Sequence, residues 1–231
     1  MRILALDGAL ARCAAALVED GEVVAIRQAA ATRGHAGLLP PMAEAVLAEA
    51  GIAATGLDAI AVTVGPGSFT GLRAAIALAQ GLAAGAGCPV VGVGVAEAMA
   101  AALPNLGGRE LWVAIDSRRG RVFLHRAGSA LKIMVPEAMA LDELPAPTAR
   151  LAIARLAIAG DAAIEVAGRL AAMDADVMLT DVRLPPIRQV ALIAASRLLG
   201  HIPPLDAQPH YVDPPEAKLP TSGFRPPPIE P

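Results

Sequence analysis

The first hundred residues alternate between a strand-like period and a helix-like one. "RILALD" (2–7) is a short apolar run ending on Asp7 and reads as a strand. "RCAAALVEDGEVVAIRQAA" (12–30) predicts two further strands that meet at a tight "EDGE" turn, where Asp20-Gly21 suits a hairpin. After the turn residues "TRGHAG", a helix is expected over about 38–50, with Pro40 and Pro41 in its first turn and Gly51 beyond its end. "LDAIAVTVG" (57–65) then predicts a strand, "TGLRAAIALAQGLAAGAG" (70–87) a helix, and "CPVVGVG" (88–94) a buried strand. A helix over about 95–103 closes this part before "PNLGG" breaks the chain.

The pattern then restarts. "ELWVAIDSRRGRVFLHRAG" (110–128) is again an apolar strand ending in an acid, a polar turn and a second strand, so Asp116 stands where Asp7 stood. "LAIAGDAAIEVAGRLAA" (156–172) repeats the order strand, glycine, helix seen in "AVTVGPGSFTGLRAA". The expectation is an α/β protein built from two copies of a strand–strand–strand–helix–strand–helix unit. Its lobes would span 1–104 and 105–202. From 203 proline is too dense for regular helix or central strand, although Tyr211, Val212 and Leu219 offer anchors for packing across the body. The final "SGFRPPPIEP" (222–231) is expected to be mobile.

Composition narrows the class. Hydrophobic residues make up 55% of the 231, but aromatics only 2%, so the core must be built from Leu, Ile, Val and Ala. The net charge of −3, with no basic run, does not indicate a duplex-binding surface. Cys13 and Cys88 both lie in apolar segments far apart in sequence and read as buried, reduced thiols. The chain opens without a secretory pattern and contains no unbroken apolar run of membrane-spanning length, which leads to the expectation of a soluble cytoplasmic protein.

The candidate chemistry centres on "GPGSFTGLR" (65–73). Gly65, Gly67 and Gly71 open backbone conformations closed to other residues, Thr70 is a candidate helix cap, and helix starts attract anions. The P-loop order is missing, since Leu72 and Arg73 follow Gly71, and the dinucleotide spacing is absent too. Two readings stay open: a structural turn, or a phosphate or ligand contact with Arg73 as its fixed positive charge. Asp7 and Asp116 are placed for the interlobe cleft of a duplicated fold, yet Gly8-Ala9-Leu10 supplies no phosphate-gripping side chain after Asp7. His35, His125, His201 and His210 show no metal-ligand spacing and read as surface or turn residues. Ser68 is not in a nucleophile elbow.

Several segments together resemble one family. "ILALD", "HAGLLPPMAEAVLAEAG", "LDAIAVTVGPGSFTGLRAAIALAQGLA", "VVGVGVAEAMA", "WVAIDSRRGRVF" and "PHYVDPPEAKLP" are similar to the bacterial TsaB (YeaZ) family, with "GPGSFTGLR" the most specific marker. The resemblance implies a duplicated two-lobed fold of the actin, Hsp70 and sugar-kinase kind, with ribonuclease H-like lobes. It further implies a non-catalytic dimerisation subunit of the complex that makes N6-threonylcarbamoyladenosine at position 37 of tRNAs reading codons that begin with A. The implied partners are a TsaD-like catalytic subunit and a TsaE-like ATPase, with a homodimer when alone, tRNA reached mainly through the complex, and no membrane. No cofactor and no metal are implied, because Val95 and Met99 stand where the catalytic relative carries its metal-binding histidines. The family usually reads Asp-Thr-Ser after the first strand, while this chain reads Asp7-Gly8-Ala9. The alternative is a small-molecule kinase or ATPase of the same superfamily; a glycopeptidase ranks below it.

The helix after the glycine loop has an unusual distribution of side chains. At 100° per residue Leu72, Ile76, Ala79 and Ala83 form a stripe for the sheet. Ala74, Ala77, Leu78, Gly81, Ala84 and Gly85 form an opposite face that is apolar and mostly small, with Arg73 and Gln80 between the two. Such a helix calls for burial on both sides. Either the second lobe covers the outer face, or that face and Leu39, Met42 and Val46 of the preceding helix meet matching helices of a partner in a four-helix interface.

Overall fold

A computed structural model of the chain describes residues 1–127, 136–146 and 155–212. The first lobe holds β1 (Arg2–Asp7), β2 (Arg12–Glu19), β3 (Glu22–Ala30), β4 (Ala59–Gly65) and β5 (Val90–Gly94) in the order β3-β2-β1-β4-β5. The second holds β6 (Glu110–Asp116), β7 (Val122–Ala127), β8 (Glu137–Met139), β9 (Arg155–Ala159) and β10 (Asp176–Leu179) in the order β8-β7-β6-β9-β10. In each sheet the first strand pairs antiparallel with the second and parallel with the fourth, so the duplication read from the sequence is a true topological repeat. The β2–β3 turn uses Asp20 at φ 50° and Gly21 at φ 87°, the positive pair that a type I′ hairpin needs.

Two helices cover one face of the first sheet. The first, α1 (His35–Glu49), begins three residues before the expected start, which moves Pro40 and Pro41 out of the first turn into the helix body. The carbonyls left without donors there belong to Ala36 and Gly37, both exposed, so water can satisfy them. The second, α2 (Phe69–Ala86), is capped by Ser68 and not by Thr70: the Ser68 Oγ accepts from the Gly71 N–H at 3.2 Å. Gly87, at φ 72°, ends it in the left-handed conformation.

The expected inner stripe of α2 is buried, joined by Ala75. Its outer face is open. Ala77, Gly81, Ala84 and Gly85 are exposed, and Ala74 and Leu78 are half-buried, so the second lobe does not cover this side. On α1 the expectation fails for two residues. Leu39 and Val46 are fully buried in the first lobe's own core against Leu4, Leu6 and Val62, and only Met42 of the three is partly accessible. Each of the two stabilises this chain's own fold by ~1.5–3 kcal/mol, and neither can touch a partner.

Packing departs from chain order at two helices. The last helix, α5 (Ile187–Leu198), follows the second sheet in sequence but covers the free face of the first, where Ile187, Val190, Ala191 and Ala194 meet Ile3, Ala5, Ala14 and Ala16. Conversely α3 (Val95–Ala101) sets Val95 and Met99 against Leu111, Val113 and Ile115 of the second sheet. The other face of that sheet packs on α4 (Ala163–Ala171) through Val166 and Leu170. The two sheets are thus joined by helices that reach across from the other half of the chain, and α3 also meets the first sheet through Ala98. The exchanged helices are clamped together: Arg197 of α5 pairs with Glu97 of α3 at 3.0 Å, and the same carboxylate accepts the Gly94 N–H at the start of α3.

The proline-rich segment returns across the first lobe as a strap. The Gly92 N–H donates to the Leu205 carbonyl, Gln80 Nε2 to the Ala207 carbonyl, and the His210 N–H to the Val64 carbonyl. Val212 ends in the apolar layer between the lobes, one of the anchors expected from the sequence, and Tyr211 packs against Phe69. Leu219 and residues 222–231 lie outside the described residues.

Candidate functional site

The glycine loop faces the turn after β1, and the two backbones touch. A Cβ on Gly71 would lie 2.0 Å from the Gly8 carbonyl oxygen, and one on Gly67 would lie 2.2 Å from that of Ala9. The Ser68 N–H donates to the Ala9 carbonyl at 2.6 Å, and the Ser68 side chain and carbonyl take the Gly71 and Leu72 N–H groups. These glycines serve close approach, and the donors just named are spent inside the protein. Of the two readings, these backbone contacts favour the structural turn.

Asp7 is fully buried. It accepts from the Ala9 N–H at 3.0 Å and the Thr63 hydroxyl at 2.8 Å, and pairs with Arg12 at 3.3 Å. Burial pushes its carboxyl above the ordinary carboxylate value, while the Arg12 charge and the two hydrogen bonds pull it back. Arg12 also donates to the Pro185 carbonyl in the segment leading into α5, so this ion pair ties the turn after β1 to the exchanged helix. Asp7 thus lies beneath the interlobe surface instead of facing a cleft.

Asp116 does face it. A cavity of about 650 Å³ opens between the lobes, with Asp116, Ser117, Arg118 and Arg119 on one wall. Asp116 accepts the Arg118 N–H at 2.7 Å and pairs with its guanidinium at 3.2 Å. Asp161, which the sequence reading missed, completes the group: it accepts the Asp116 N–H at 2.9 Å and binds Arg118 at 3.1 Å. Burial pushes the Asp161 carboxyl up, against the Asp116 N–H and Arg118. The signal for it was available, because "GDAA" follows β9 as the glycine loop follows β4.

The opposite wall carries Phe69, Thr70, Arg73 and Tyr211. Arg73 is not free to act as a bare charge. Its guanidinium lies 3.9 Å above the Phe69 ring centre, and its Nε donates to the Tyr211 hydroxyl at 2.8 Å. The two rings stack at 5.6 Å. Thr70 is an exposed residue of the rim, and Gly65, at φ 116°, lets the His210 carbonyl cross close behind it.

Of the histidines, His201 and His210 are exposed as expected, but His35 and His125 are buried. His35 is the first residue of α1 and turns inward, with Nε2 3.3 Å from the Leu10 carbonyl; His125 lies on β7. Cys13 is buried and Cys88 half-buried, both free, and burial pushes both thiols up. Val95 and Met99 are core residues. Among the described residues no three His, Cys, Asp or Glu side chains come together in a way that could hold a metal ion.

The family described as TsaD, tRNA N6-adenosine threonylcarbamoyltransferase, matches residues 25–196. The chain is 42% identical over 124 residues to the tRNA threonylcarbamoyladenosine biosynthesis protein TsaB of Escherichia coli (strain K12), a match covering 53% of each chain. It spans about half the length of the curated relatives it matches. Among solved structures, YeaZ from Pseudomonas aeruginosa superposes with a TM-score of 0.73 at 27% identity, covering 91% of this chain and 99% of that one. Component A of the (R)-2-hydroxyglutaryl-CoA dehydratase of Acidaminococcus fermentans shares the fold, with a TM-score of 0.51 at 11% identity, covering 86% and 99%.

Proposed function

The chain belongs to the family of tRNA N6-adenosine threonylcarbamoyltransferases and their TsaB relatives, and from that membership we propose that it is a non-catalytic subunit of the machinery that makes threonylcarbamoyladenosine in tRNA. Its work in this reading is to hold a TsaD-like catalytic subunit, with a TsaE-like ATPase joining the assembly, so that tRNA is met mainly through the complex. The observation that carries the reading is the outer face of α2. Ala77, Gly81 and Ala84 are exposed there, Ala74 and Leu78 are half-buried, and a Cβ on Gly81 would meet nothing within 4 Å. Small residues on an open helix face allow a second helix to approach closely. Met42 of the neighbouring helix α1 is half-buried.

A passive role fits the rest of the molecule. Val95 and Met99, which the resemblance aligns with the catalytic relative's histidines, are core side chains, the glycine loop is closed by backbone contact, and Asp7 is covered and paired with Arg12. No helix among the described residues is long and apolar enough to cross a membrane. The reading is tested by co-purifying the tagged full chain with a TsaD-like protein, using wild type and Gly81→Arg. A bulky charge in the seam is expected to abolish capture while leaving the fold intact. Undiminished capture by Gly81→Arg refutes this surface.

A further inference from the structure

Three of the chain's five aromatic residues (one Trp, one Tyr and three Phe) meet at the interlobe cavity: Phe69, Phe123 and Tyr211. Phe123 is buried, but Phe69 is 51% exposed and Tyr211 45%, so two large rings stand at the mouth instead of in the core. They are held there. The stack of the two rings and the Arg73 guanidinium, lying on Phe69 and bonded to the Tyr211 hydroxyl, hold the two half-exposed rings together at the mouth. Tyr211 comes from the strap, and the strap's bonds to β4, β5 and α2 hold it in place.

Charge on the facing wall completes the arrangement. Arg118 is neutralised by Asp116 and Asp161. The Arg119 side chain is exposed and has no partner among the described residues. The cavity lining therefore holds three arginines against one aspartate, on a chain whose net charge is −3. A ligand that suits both features has a flat ring and a negative group. Ring and guanidinium platforms beside a cation that follows the backbone are how unpaired nucleotides are gripped. Half-exposed rings at an open mouth favour a base presented on a strand over a free small molecule, which a pocket normally encloses for most of its surface.

We propose that Phe69, Arg73 and Tyr211 stack an unpaired base of a single-stranded RNA segment and that Arg119 binds its phosphate. The proposal rests on the reading above only in taking tRNA as the RNA. It gives this chain a direct contact with the substrate of the relatives' named pathway, at the N-terminal end of α2 about two turns before Gly81.

The test uses the full chain alone and fluorescence anisotropy with a labelled RNA stem-loop, a blunt duplex of the same composition, and AMP as competitor. The stem-loop is expected to bind more tightly than the duplex, and Phe69→Ala to weaken it about tenfold. Arg119→Glu should weaken it and flatten its salt dependence. If Phe69→Ala fails to fold, Phe69→Leu keeps the bulk, loses the π-face and is expected to lose the same affinity. Equal binding of loop and duplex, or wild-type affinity in the Phe69 and Arg119 variants, overturns the proposal. So does displacement of the stem-loop by equimolar AMP, which marks a free-nucleotide pocket. Partner capture by the Phe69→Ala chain is expected to stay at the wild-type level, so unchanged RNA binding in that variant with capture retained refutes this contact and leaves the assembly role standing.

Discussion

Adding one methyl group at Gly71 and one at Gly81 should move stability in opposite directions, although both glycines lie in the same helix. At Gly71 the new Cβ would lie 2.0 Å from the Gly8 carbonyl oxygen and 3.0 Å from the His35 ring. The first obstacle is backbone, which cannot rotate aside, so the turn after β1 has to back away by more than an ångström. Overpacking of this kind costs ~3 kcal/mol at the upper end of its usual range. The retreat also pulls the Ala9 carbonyl from the Ser68 N–H, a further loss of about 1 kcal/mol. For a chain of this size a loss of ~4 kcal/mol lowers the Tm by roughly 10 °C. Gly81→Ala meets nothing within 4 Å, gains about 1 kcal/mol of helix propensity and should raise the Tm by ~2–4 °C. Thermal melts followed by circular dichroism read both lobes. Trp112, the only tryptophan and buried in the second sheet, reports that lobe separately by fluorescence. A Gly71→Ala chain melting within experimental error of wild type would refute the claim that the glycine loop exists for close packing.

The resemblance also implies a homodimer when the chain is alone; if it forms through the α2 face, wild type is expected to self-associate at micromolar concentration and Gly81→Arg to sediment as a folded monomer, and a monomeric wild type refutes the homodimer. Arg12→Met leaves the buried Asp7 without its counter-charge and should cost ~3 kcal/mol near neutral pH. Because burial already raises the Asp7 pKa, the folded state binds that proton more tightly than the unfolded one. The carboxyl's contribution is therefore lost as pH rises, and the variant should recover most of its deficit towards about pH 4. Urea midpoints with the same deficit at both ends of that range contradict the pairing. Elemental analysis of the purified chain should find far less than one iron or zinc per chain, and a stoichiometric metal that survives chelator ends the non-catalytic reading.

Most of the strands and the duplication were legible because both rest on local signals. Alternation along β1 sends Leu4 and Leu6 to one face and Ile3 and Ala5 to the other, and Asp20-Gly21 dictates a turn by its own stereochemistry. The inner stripe of α2 followed from its period alone. The start of α1 was misplaced because a proline pair looks like a first turn, while exposed carbonyls let the same pair sit deeper in the helix. Ser68 and Thr70 are both good caps by residue type, and only the geometry of the bond to Gly71 decides between them.

The rest depended on pairings that no local pattern encodes. Leu39 and Val46 lie on an apolar helix whose faces the sequence leaves nearly equivalent, so the core could claim residues assigned to a partner. α5 packs on the face of the first sheet that carries Ala5, Ala14 and Ala16, a pairing that its own apolar period does not name. Asp7 is withdrawn from the cleft by Thr63, 56 positions away. The aromatic platform joins Arg73 to Tyr211 across 138 positions, from a helix start to a proline-rich strap. Those two segments read separately as an anion-attracting turn and a tail. Brought together, they change the candidate chemistry from a phosphate cradle, which the backbone contacts close, to a ring surface facing Arg119 across the cavity.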